Sequence, residues 1–566
     1  MPHRQSRWLP KSVIALRQYD AETFRHDVIA GITVGLVALP LALAFAIASG
    51  LPPQSGIYCA IVTGFIISAL GGSRTQIGGP TGAFVVVVSN IVAVYGVPGL
   101  FMCTMMAGVM LVLLGVTGTG SAVKFIPRPV VIGFTNGIAV LIASTQIRDF
   151  FGLRGLENTG EFLERMAAIS RHLDTVAPWA IGVGAASLAI IVIVNRYGRN
   201  VPGTIVALVA GTAVVWLAGL PVETVASRFG GVPSGLPVVH IPAFDPSLIF
   251  KLLSPAVTVA MLGAIESLMS AVVADRMSGD RHNPNVELIA QGVANIVSPM
   301  VGGLPATGAI ARTATNIRSG ARTPVAGMVH ALVLLLILIA GAQVAGRVPM
   351  PVLAAILFVV AWRMGEWHEI PALLKQTRAD IAIWAATFAL TVFADLTVAV
   401  EVGMVLAALH FIRRVATTTT VSRVTKEYLS EGRAHVLQDK HIPDYVAIYR
   451  IHGPLLFGAT DKMTRVIDDL PKLPETVVFR LRNMTALDAT GLRALEDIAE
   501  RTRASGRTAL FCGAREQPRA LMRQSGFAER VGAENICPHV QGALMRAEEL
   551  HGQEVRAQRS EVRREE

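Results

Sequence analysis

The chain has 566 residues, of which 52% are hydrophobic and only 16% are charged, and its formal net charge is +10. Soluble domains usually carry roughly 25% charged residues, so this composition excludes an entirely soluble chain. It indicates membrane-spanning segments combined with a smaller soluble part. The positive balance favours cytoplasmic loops, which collect Lys and Arg, over nucleic-acid binding. The four cysteines are isolated and predict neither a disulfide framework nor a metal site, and no cofactor is expected.

Apolar segments fill residues 28–414, after a polar and basic N-terminal segment of residues 1–27 that does not read as a signal peptide. A membrane helix needs roughly 20 apolar residues. On this basis we predict about fourteen spans in two sets of seven, which are 28–50, 57–70, 81–95, 99–116, 129–147, 179–194 and 202–220, followed by 252–274, 286–300, 307–317, 324–342, 351–362, 381–394 and 396–412.

The loop charges predict the orientation of these spans. With the N-terminus in the cytoplasm, most short loops rich in Arg and Lys fall inside, such as those of Arg74, Arg276 and Arg413. Both termini are therefore expected in the cytoplasm. An odd number of spans per half inverts the second half relative to the first, as inverted-repeat transporters require.

Two similar runs of helix-breaking residues lie within these apolar surroundings. Residues 78–83 read GGPTGA and residues 302–309 read GGLPATGA. Gly and Pro do not sustain a regular helix, and a matched pair of interrupted segments points to the substrate site of a transporter. We predict two half helices whose N-termini face each other.

Converging helix N-termini form an anion site, since each offers unpaired N–H groups and roughly half a positive charge. Thr81 and Thr307 are candidate hydroxyl donors. Small residues at the same places let a ligand approach the backbone, namely Gly82, Ala83, Gly308 and Ala309. The alternative is that these small residues only permit close packing of helices.

Two ionisable residues are predicted beside this site. Arg312 falls in the second half helix, where a charge is costly and points to function; its alternative role is an ion pair with Glu266. Glu266 lies in the middle of an apolar span, and because removal from water penalises a charged carboxylate, it is a candidate for proton coupling. Ser270 is a candidate hydrogen-bond partner. The alternative is a neutral carboxyl that holds helices together.

The sequence predicts less about two further acidic residues. Glu287 belongs to a charged cluster after residue 274, which is predicted to form a solvated or salt-bridged loop with a structural rather than a catalytic role. Glu401 lies near the start of the last predicted span, and the sequence assigns it no role.

After residue 414 the composition becomes that of a soluble protein. Residues 415–440 read as a linker, and residues 441–552 alternate strand and helix patterns, which predicts a small α/β domain. Residues 553–566 form a charged tail that we expect to be disordered.

Several motifs resemble the SulP family of anion transporters, to which prestin and pendrin belong. They are residues 39–46 (LPLALAFA), 76–84, 266–275 and 287–324, and residues 283–292 are similar to the bacterial members. Residues 482–492 (RNMTALDATGL) resemble a STAS domain, the usual C-terminal partner of these transporters. In related STAS proteins the residue matching Thr490 can be phosphorylated; the alternative is that Thr490 is an ordinary N-cap.

The resemblance implies fourteen spans in two inverted repeats, with a core domain that carries the half helices and a gate domain of spans five to seven and twelve to fourteen. It implies that Phe45, Ala83 and Ala309 line the anion site and that Arg312 is the charged residue beside the anion. Sodium-coupled bicarbonate members have Asp and Thr at the positions of Glu266 and Ser270. The Glu and Ser of this chain are instead similar to the residues at these positions in members described as proton-coupled.

The sequence therefore predicts a proton-coupled secondary transporter for sulfate, a small dicarboxylate or bicarbonate, working by an elevator-type motion in the bacterial cytoplasmic membrane. The expected partners are the anion, protons, membrane lipid, a second copy of the chain and a cytosolic protein at the STAS domain, with no nucleic acid. The alternatives are a passive anion channel, an exchanger, a sodium-coupled bicarbonate symporter and a nucleobase transporter. An enzyme is not expected, because no nucleophile–base pair, metal cluster or phosphate loop is evident.

Overall fold

The computed structural model describes residues 8–118, 127–155, 162–198, 202–231, 235, 237–394, 396–424, 442–457 and 460–565. The chain divides into two compact units, Met1–Ala407 and Ala408–Glu566. Most of the predicted linker lies outside the described residues.

The described part of the first unit is almost entirely helical, because its segments are apolar on all sides and bury best as helices. Two short strands, β1 (Gly78–Gly79) and β2 (Thr307–Gly308), interrupt it. Its described helices are α1 (Lys11–Ala15), α2 (Ala21–Ala48), α3 (Pro53–Leu70), α4 (Gly82–Val116), α5 (Arg128–Phe151), α6 (Phe162–Arg171), α7 (Pro178–Tyr197), α8 (Gly203–Ala218), α9 (Val225–Phe229), α10 (Ile249–Ser278), α11 (Pro284–Val297), α12 (Ile310–Arg318), α13 (Val325–Gly346), α14 (Met350–Met364), α15 (Ile370–Leu373), α16 (Arg378–Phe393) and α17 (Leu396–Thr418).

Each of the fourteen predicted apolar segments falls on one of these helices. Within the described residues, seven helices are long and apolar enough to cross a membrane by length and composition, and two more are apolar but shorter. The helical membrane fold is thus observed, while the count of fourteen crossings stays a prediction.

Helix α4 contains two predicted segments joined by a sharp break. Gly96 has φ 69° and ψ 179°, which is not helical, and Pro98 follows two residues later. Only glycine adopts such a conformation readily. The break therefore separates a first half of α4, which begins at Gly82, from a second half that ends at Val116.

The long helices pack in two groups. In the first, which we call the core group, α13 packs on α2 and α3, α11 on α3 and α4, and α10 on α4 and α12. In the second, the gate group, α5 packs with α14 and α16, and α7 packs with α8 and α14. Helix α17 joins the gate group, because a Cβ added at Gly403 would lie 3.0 Å from side-chain atoms of both Val130 and Thr387.

Two fully buried carboxylates in the core group each accept hydrogen bonds from the backbone of a loop that is distant in sequence. Asp27 of α2 accepts hydrogen bonds from the backbone of Arg322 at 2.8 Å and Thr323 at 3.1 Å. Glu287 of α11 accepts from Gly72 N at 2.9 Å and Ser73 N at 3.2 Å. The expectation that Glu287 is solvated is wrong, since the residue is fully buried. Its expected structural role is observed, because it satisfies backbone groups that would otherwise be buried without partners.

The second unit contains a five-stranded sheet in the order β3-β4-β5-β6-β7, antiparallel between β3 and β4 and parallel elsewhere. Apolar clusters cover both faces of this sheet, as in an α/β domain. The strands are β3 (Thr420–Arg423), β4 (Val446–Leu455), β5 (Thr476–Leu487), β6 (Thr508–Cys512) and β7 (Ile536–Cys537), and the described helices are α18 (Asp461–Asp469), α19 (Ala489–Ala504), α20 (Glu516–Gln524), α21 (Phe527–Val531) and α22 (Val540–Glu565).

The prediction of a disordered tail is wrong, because α22 continues through Glu565. Val540, Ala543 and Ala547 pack into one of the apolar clusters on the sheet. This packing fixes the start of the helix, and the Glu, Arg, Gln and Ala residues beyond it extend the helix because they have high helix propensity.

Asp488, rather than Thr490, caps helix α19. The Asp488 carboxylate accepts hydrogen bonds from Gly491 N at 2.7 Å and from Phe457 N at 2.9 Å. Thr490 is the second residue of the helix and is exposed. The reading of Thr490 as the N-cap is therefore wrong, whereas its phosphorylation stays a prediction.

The substitution Asp488→Ala is expected to lower the free energy of unfolding of the second unit by about 1–2 kcal/mol, because it removes the cap and leaves two backbone N–H groups without their acceptor. Thr490→Ala, two residues away, is the matched control and is expected to change it by less than about 0.5 kcal/mol. Thermal unfolding of the full-length protein followed by circular dichroism measures both. Equal losses for the two variants would contradict the assignment of the cap.

Candidate functional site

The two glycine-rich runs meet in the middle of the core group. Strand β1 pairs with β2 in the antiparallel direction, with Gly78 opposite Gly308 and Gly79 opposite Thr307. Ala309 N also donates to Ile77 O at 2.8 Å. This short pairing satisfies backbone groups that the interrupted helices leave open. The two runs that the sequence singled out are therefore neighbours in space.

A helix begins directly after each strand. Helix α4 starts at Gly82 with Thr81 as its N-cap, and α12 starts at Ile310 with Ala309 as its N-cap; neither cap side chain bonds to its helix. The second helix thus begins three residues later than the predicted segment, because Thr307 and Gly308 are used in β2. Each helix presents N–H groups that no N-cap side chain satisfies.

The two threonine hydroxyls already have partners in this conformation. Thr81 Oγ1 donates to Glu266 Oε2 at 2.9 Å. Thr307 is fully buried, where its Oγ1 donates to Gly263 O at 3.0 Å and lies 2.7 Å from Ser267 Oγ. The hydroxyl of Thr81 is thus tied to a partly exposed carboxylate, whereas that of Thr307 is held inside the fold.

Helix α10 contacts both crossing segments. Glu266 reaches the start of α4 through Thr81, and Ser267 Oγ accepts from Gly308 N at 3.1 Å. Ser270 is fully buried and its Oγ lies 3.1 Å from Thr313 Oγ1, so its partner is on α12 rather than Glu266. One face of α10 therefore holds the two helix starts together.

Arg312 lies in the first turn of α12 and is almost completely buried, at 2% exposure. Its Nη2 donates to the carbonyl of Pro80, and its Nη1 has no hydrogen-bond partner among the described residues. A Cβ added at Gly79 would lie 2.6 Å from Nη1, so only glycine leaves room for the guanidinium. The ion pairs within 4.0 Å in the described chain do not include one between Arg312 and Glu266, which removes that alternative role in this conformation.

Apolar residues from three other helices surround the start of α4. A Cβ added at Gly82 would lie 3.3 Å from Ile142 of α5, 3.4 Å from Phe45 of α2 and 3.5 Å from Met364 of α14. Phe45, Ala83 and Ala309 are all buried here, at 4%, 0% and 6% exposure. Ile142 and Met364 were missed by sequence reasoning, because ordinary apolar residues in apolar helices carry no distinguishing signal.

Charge in this region comes from Arg312, Glu266 and the helix ends. Within the described part of the chain, no group of three His, Cys, Asp or Glu side chains is placed to hold a metal ion. Together, the uncapped helix starts and the guanidinium form a positively polarised region with one carboxylate at its edge, suited to a small anion.

This arrangement, two interrupted helices crossing within a helical membrane unit, defines the chain as a membrane transporter. Residues 24–387 match the model of the sulfate permease family, and residues 438–543 match that of the STAS domain. The chain belongs to the sulfate permease family, which confirms the resemblance recognised from its motifs.

Relatives of known name are similar along most of the chain. The candidate sulfate transporter YvdB of Bacillus subtilis is 40% identical over 92% of this chain and 97% of its own length. The bicarbonate transporter BicA of Picosynechococcus is 29% identical over 92% of this chain and 94% of its own length. These relatives are transporters, as the sequence predicted, and not enzymes.

Solved structures support the same fold. The transmembrane domain of a cyanobacterial BicA matches with a TM-score of 0.61 and 31% identity, covering 69% of this chain and 98% of that one. The overall structure of SLC26A9 matches with a TM-score of 0.84 over 95% of this chain and 92% of that one, at 17% identity, which shows the fold alone.

Proposed function

We propose that the protein is a proton-coupled symporter that carries a small anion across the cytoplasmic membrane, with both termini in the cytoplasm. The observation that carries this proposal is the meeting of two uncapped helix starts beside a buried Arg312 with an unpartnered N–H group. The anion binds between the starts of α4 and α12, lined by Phe45, Ala83 and Ala309, with Thr81, Gly82, Thr307 and Gly308 forming the backbone around it.

Glu266 supplies the proton coupling. Its carboxylate is bound to Thr81, the residue that precedes the first helix start. A negative charge there opposes the binding of an anion, and protonation removes this opposition. The anion and the proton are therefore taken up together and released together. Ser270 contributes indirectly by fixing α12 against α10.

Transport proceeds by movement of the core group against the gate group in an elevator-type cycle. The whole site except Ile142 and Met364 is built on the core group, so it moves as one body, and the residues of α5 and α14 at its edge belong to the other group. The protein works as a homodimer, and its STAS domain binds a cytosolic protein, with Thr490 exposed to modification.

The substrate is sulfate, bicarbonate or a small dicarboxylate. Among the relatives, YvdB is named for sulfate and BicA for bicarbonate. Two helix starts and one guanidinium suit all three anions, because these groups recognise only negative charge and oxygen acceptors.

Uptake of radiolabelled sulfate, bicarbonate and succinate into proteoliposomes that contain the full-length protein tests this proposal. We expect one of these anions to accumulate against its gradient when the outside is acidified, without sodium. Flux that only follows the anion gradient would favour a channel, sodium-dependent accumulation would favour a sodium symporter, and flux that needs an anion on the far side would favour an exchanger.

A further inference from the structure

A side-chain contact joins the two helix groups far from the anion site. Ser254 Oγ on α10 donates to Glu401 Oε1 on α17 at 2.7 Å. Each of these residues is the sixth of its helix, about 8 Å from the helix start. In the predicted topology both helices start at the outer face of the membrane. The contact therefore lies near the outer ends of α10 and α17.

Helices α10 and α17 otherwise pack on different groups of helices. Helix α10 packs on α4, α11 and α12 of the core group, whereas α17 packs on Val130 of α5 and Thr387 of α16 in the gate group. Ser254 and Glu401 are thus held by separate bodies, and their hydrogen bond bridges between those bodies.

The environment of Glu401 also indicates a role. Glu401 and Ser254 are both exposed, although α17 is rich in apolar residues. A carboxylate that faces lipid is costly, and ionisable residues in such helices generally face water or a partner. A hydrogen bond to a carboxylate is roughly twice as strong as one between neutral groups. Glu401 therefore has a defined partner at the boundary between the two groups.

We propose that Ser254 and Glu401 form an outer latch, a positioning contact that holds α10 against α17 in this conformation and must break in each transport cycle. This inference rests on the proposed function, because it assumes movement of the core group against the gate group. Glu401 acts through α10, the helix that carries Glu266 three turns further on, and does not touch the anion.

Reversible cross-linking of the full-length protein in proteoliposomes tests the latch. In the variant Ser254→Cys/Glu401→Cys, oxidation with copper phenanthroline removes one hydrogen from each thiol and joins the two sulfur atoms. We expect oxidation to join the two cysteines, with a loss of at least about tenfold in uptake of whichever labelled anion the parent carries and recovery after reduction with dithiothreitol.

The matched control is a pair within the gate group. A Cβ added at Gly403 of α17 would lie 3.0 Å from Thr387 Oγ1 of α16, and Gly403 is only two residues from Glu401. The disulfide of Thr387→Cys/Gly403→Cys joins residues that are expected to move together, so oxidation is expected to leave its uptake within about twofold of its reduced value. The single-cysteine variants control for the four native cysteines, all of which are buried.

Single substitutions separate positioning from structure. Ser254→Ala and Glu401→Leu each remove the hydrogen bond. We expect the maximal uptake rate to change by at least threefold, which is the size of effect that the loss of one hydrogen bond produces. The order in which sulfate, bicarbonate and succinate compete is expected to stay the same. Glu401→Gln keeps an acceptor oxygen and is expected to stay closer to the parent.

The outcomes separate the latch from the proposed function. A parent protein that transports none of the three anions overturns the proposed function, and the latch with it. A parent that transports while the oxidised Ser254→Cys/Glu401→Cys protein transports equally well overturns the latch alone. Failure of the two cysteines to cross-link even with a bifunctional thiosulfonate reagent that bridges a longer gap, although each reacts with a maleimide, also overturns it.

Discussion

Replacement of Glu266 by Gln is expected to abolish acid-stimulated uptake while anion binding persists. Gln keeps an oxygen that accepts the hydrogen bond from Thr81, so the start of α4 stays in place, but it cannot exchange a proton. The ratio of uptake at acidic pH to uptake at alkaline pH is expected to fall to about one. Proteoliposome uptake across a pH series measures this ratio, and calorimetry measures the anion affinity.

Two further variants show whether the effect belongs to this carboxylate. Glu223→Gln removes a carboxylate that is half exposed outside the site and is expected to keep the pH dependence of the parent. Thr81→Val removes the hydroxyl but leaves the carboxylate, so the pH dependence is expected to persist with a displaced midpoint. Retention of the full pH response in Glu266→Gln would show that another group carries the proton.

Replacement of Arg312 by Ala is expected to weaken anion binding by about 10- to 100-fold, the range of one charge-assisted hydrogen bond of about 1.5–3 kcal/mol. The guanidinium is the one cationic side chain placed here among the described residues of the site, and its Nη1 has no partner within the protein. Calorimetric titration with the transported anion gives the dissociation constant of each variant.

The control must allow for the second role of this side chain. Arg312 also donates to the carbonyl of Pro80, so Arg312→Ala leaves a buried acceptor unsatisfied and lowers stability. Arg312→Lys retains the charge but not the two-armed geometry, and its affinity is expected to fall between those of the parent and the alanine variant. Unchanged affinity in both variants, each shown to be folded by thermal melting, would remove Arg312 from the site.

The general layout of this protein was predictable from its sequence because its strongest signals are local. Gly and Pro in residues 78–83 and 302–309 break helices wherever they stand, so the two interruptions could be placed without a fold. Glu266 and Arg312 were prominent because a charge in an apolar run is rare and costly. These local signals located the residues of the candidate site but not their partners.

The remaining features depend on contacts between distant parts of the chain. The pairing of β1 with β2 displaced the start of α12 to Ile310, since Thr307 was needed in the strand. Glu287 looked solvated because its neighbours in sequence are charged, but it accepts hydrogen bonds from backbone groups more than 200 residues away and from the side chain of Gln291. Asp488 and Thr490 are both good capping residues, and only the position of the helix start decides between them.

The pairing between β1 and β2 has a consequence for how the protein is made. Thr81 and Thr307 are separated by 307 − 81 = 226 residues of chain, and a ribosome adds roughly 5–20 residues per second. The second glycine-rich run is therefore synthesised roughly 10–45 seconds after the first, which stays unpaired in the membrane during this interval. During that interval its open backbone groups must be sheltered by the translocation machinery or by neighbouring helices, and a pause in translation between the two runs would prolong the period in which the nascent chain is exposed to quality control.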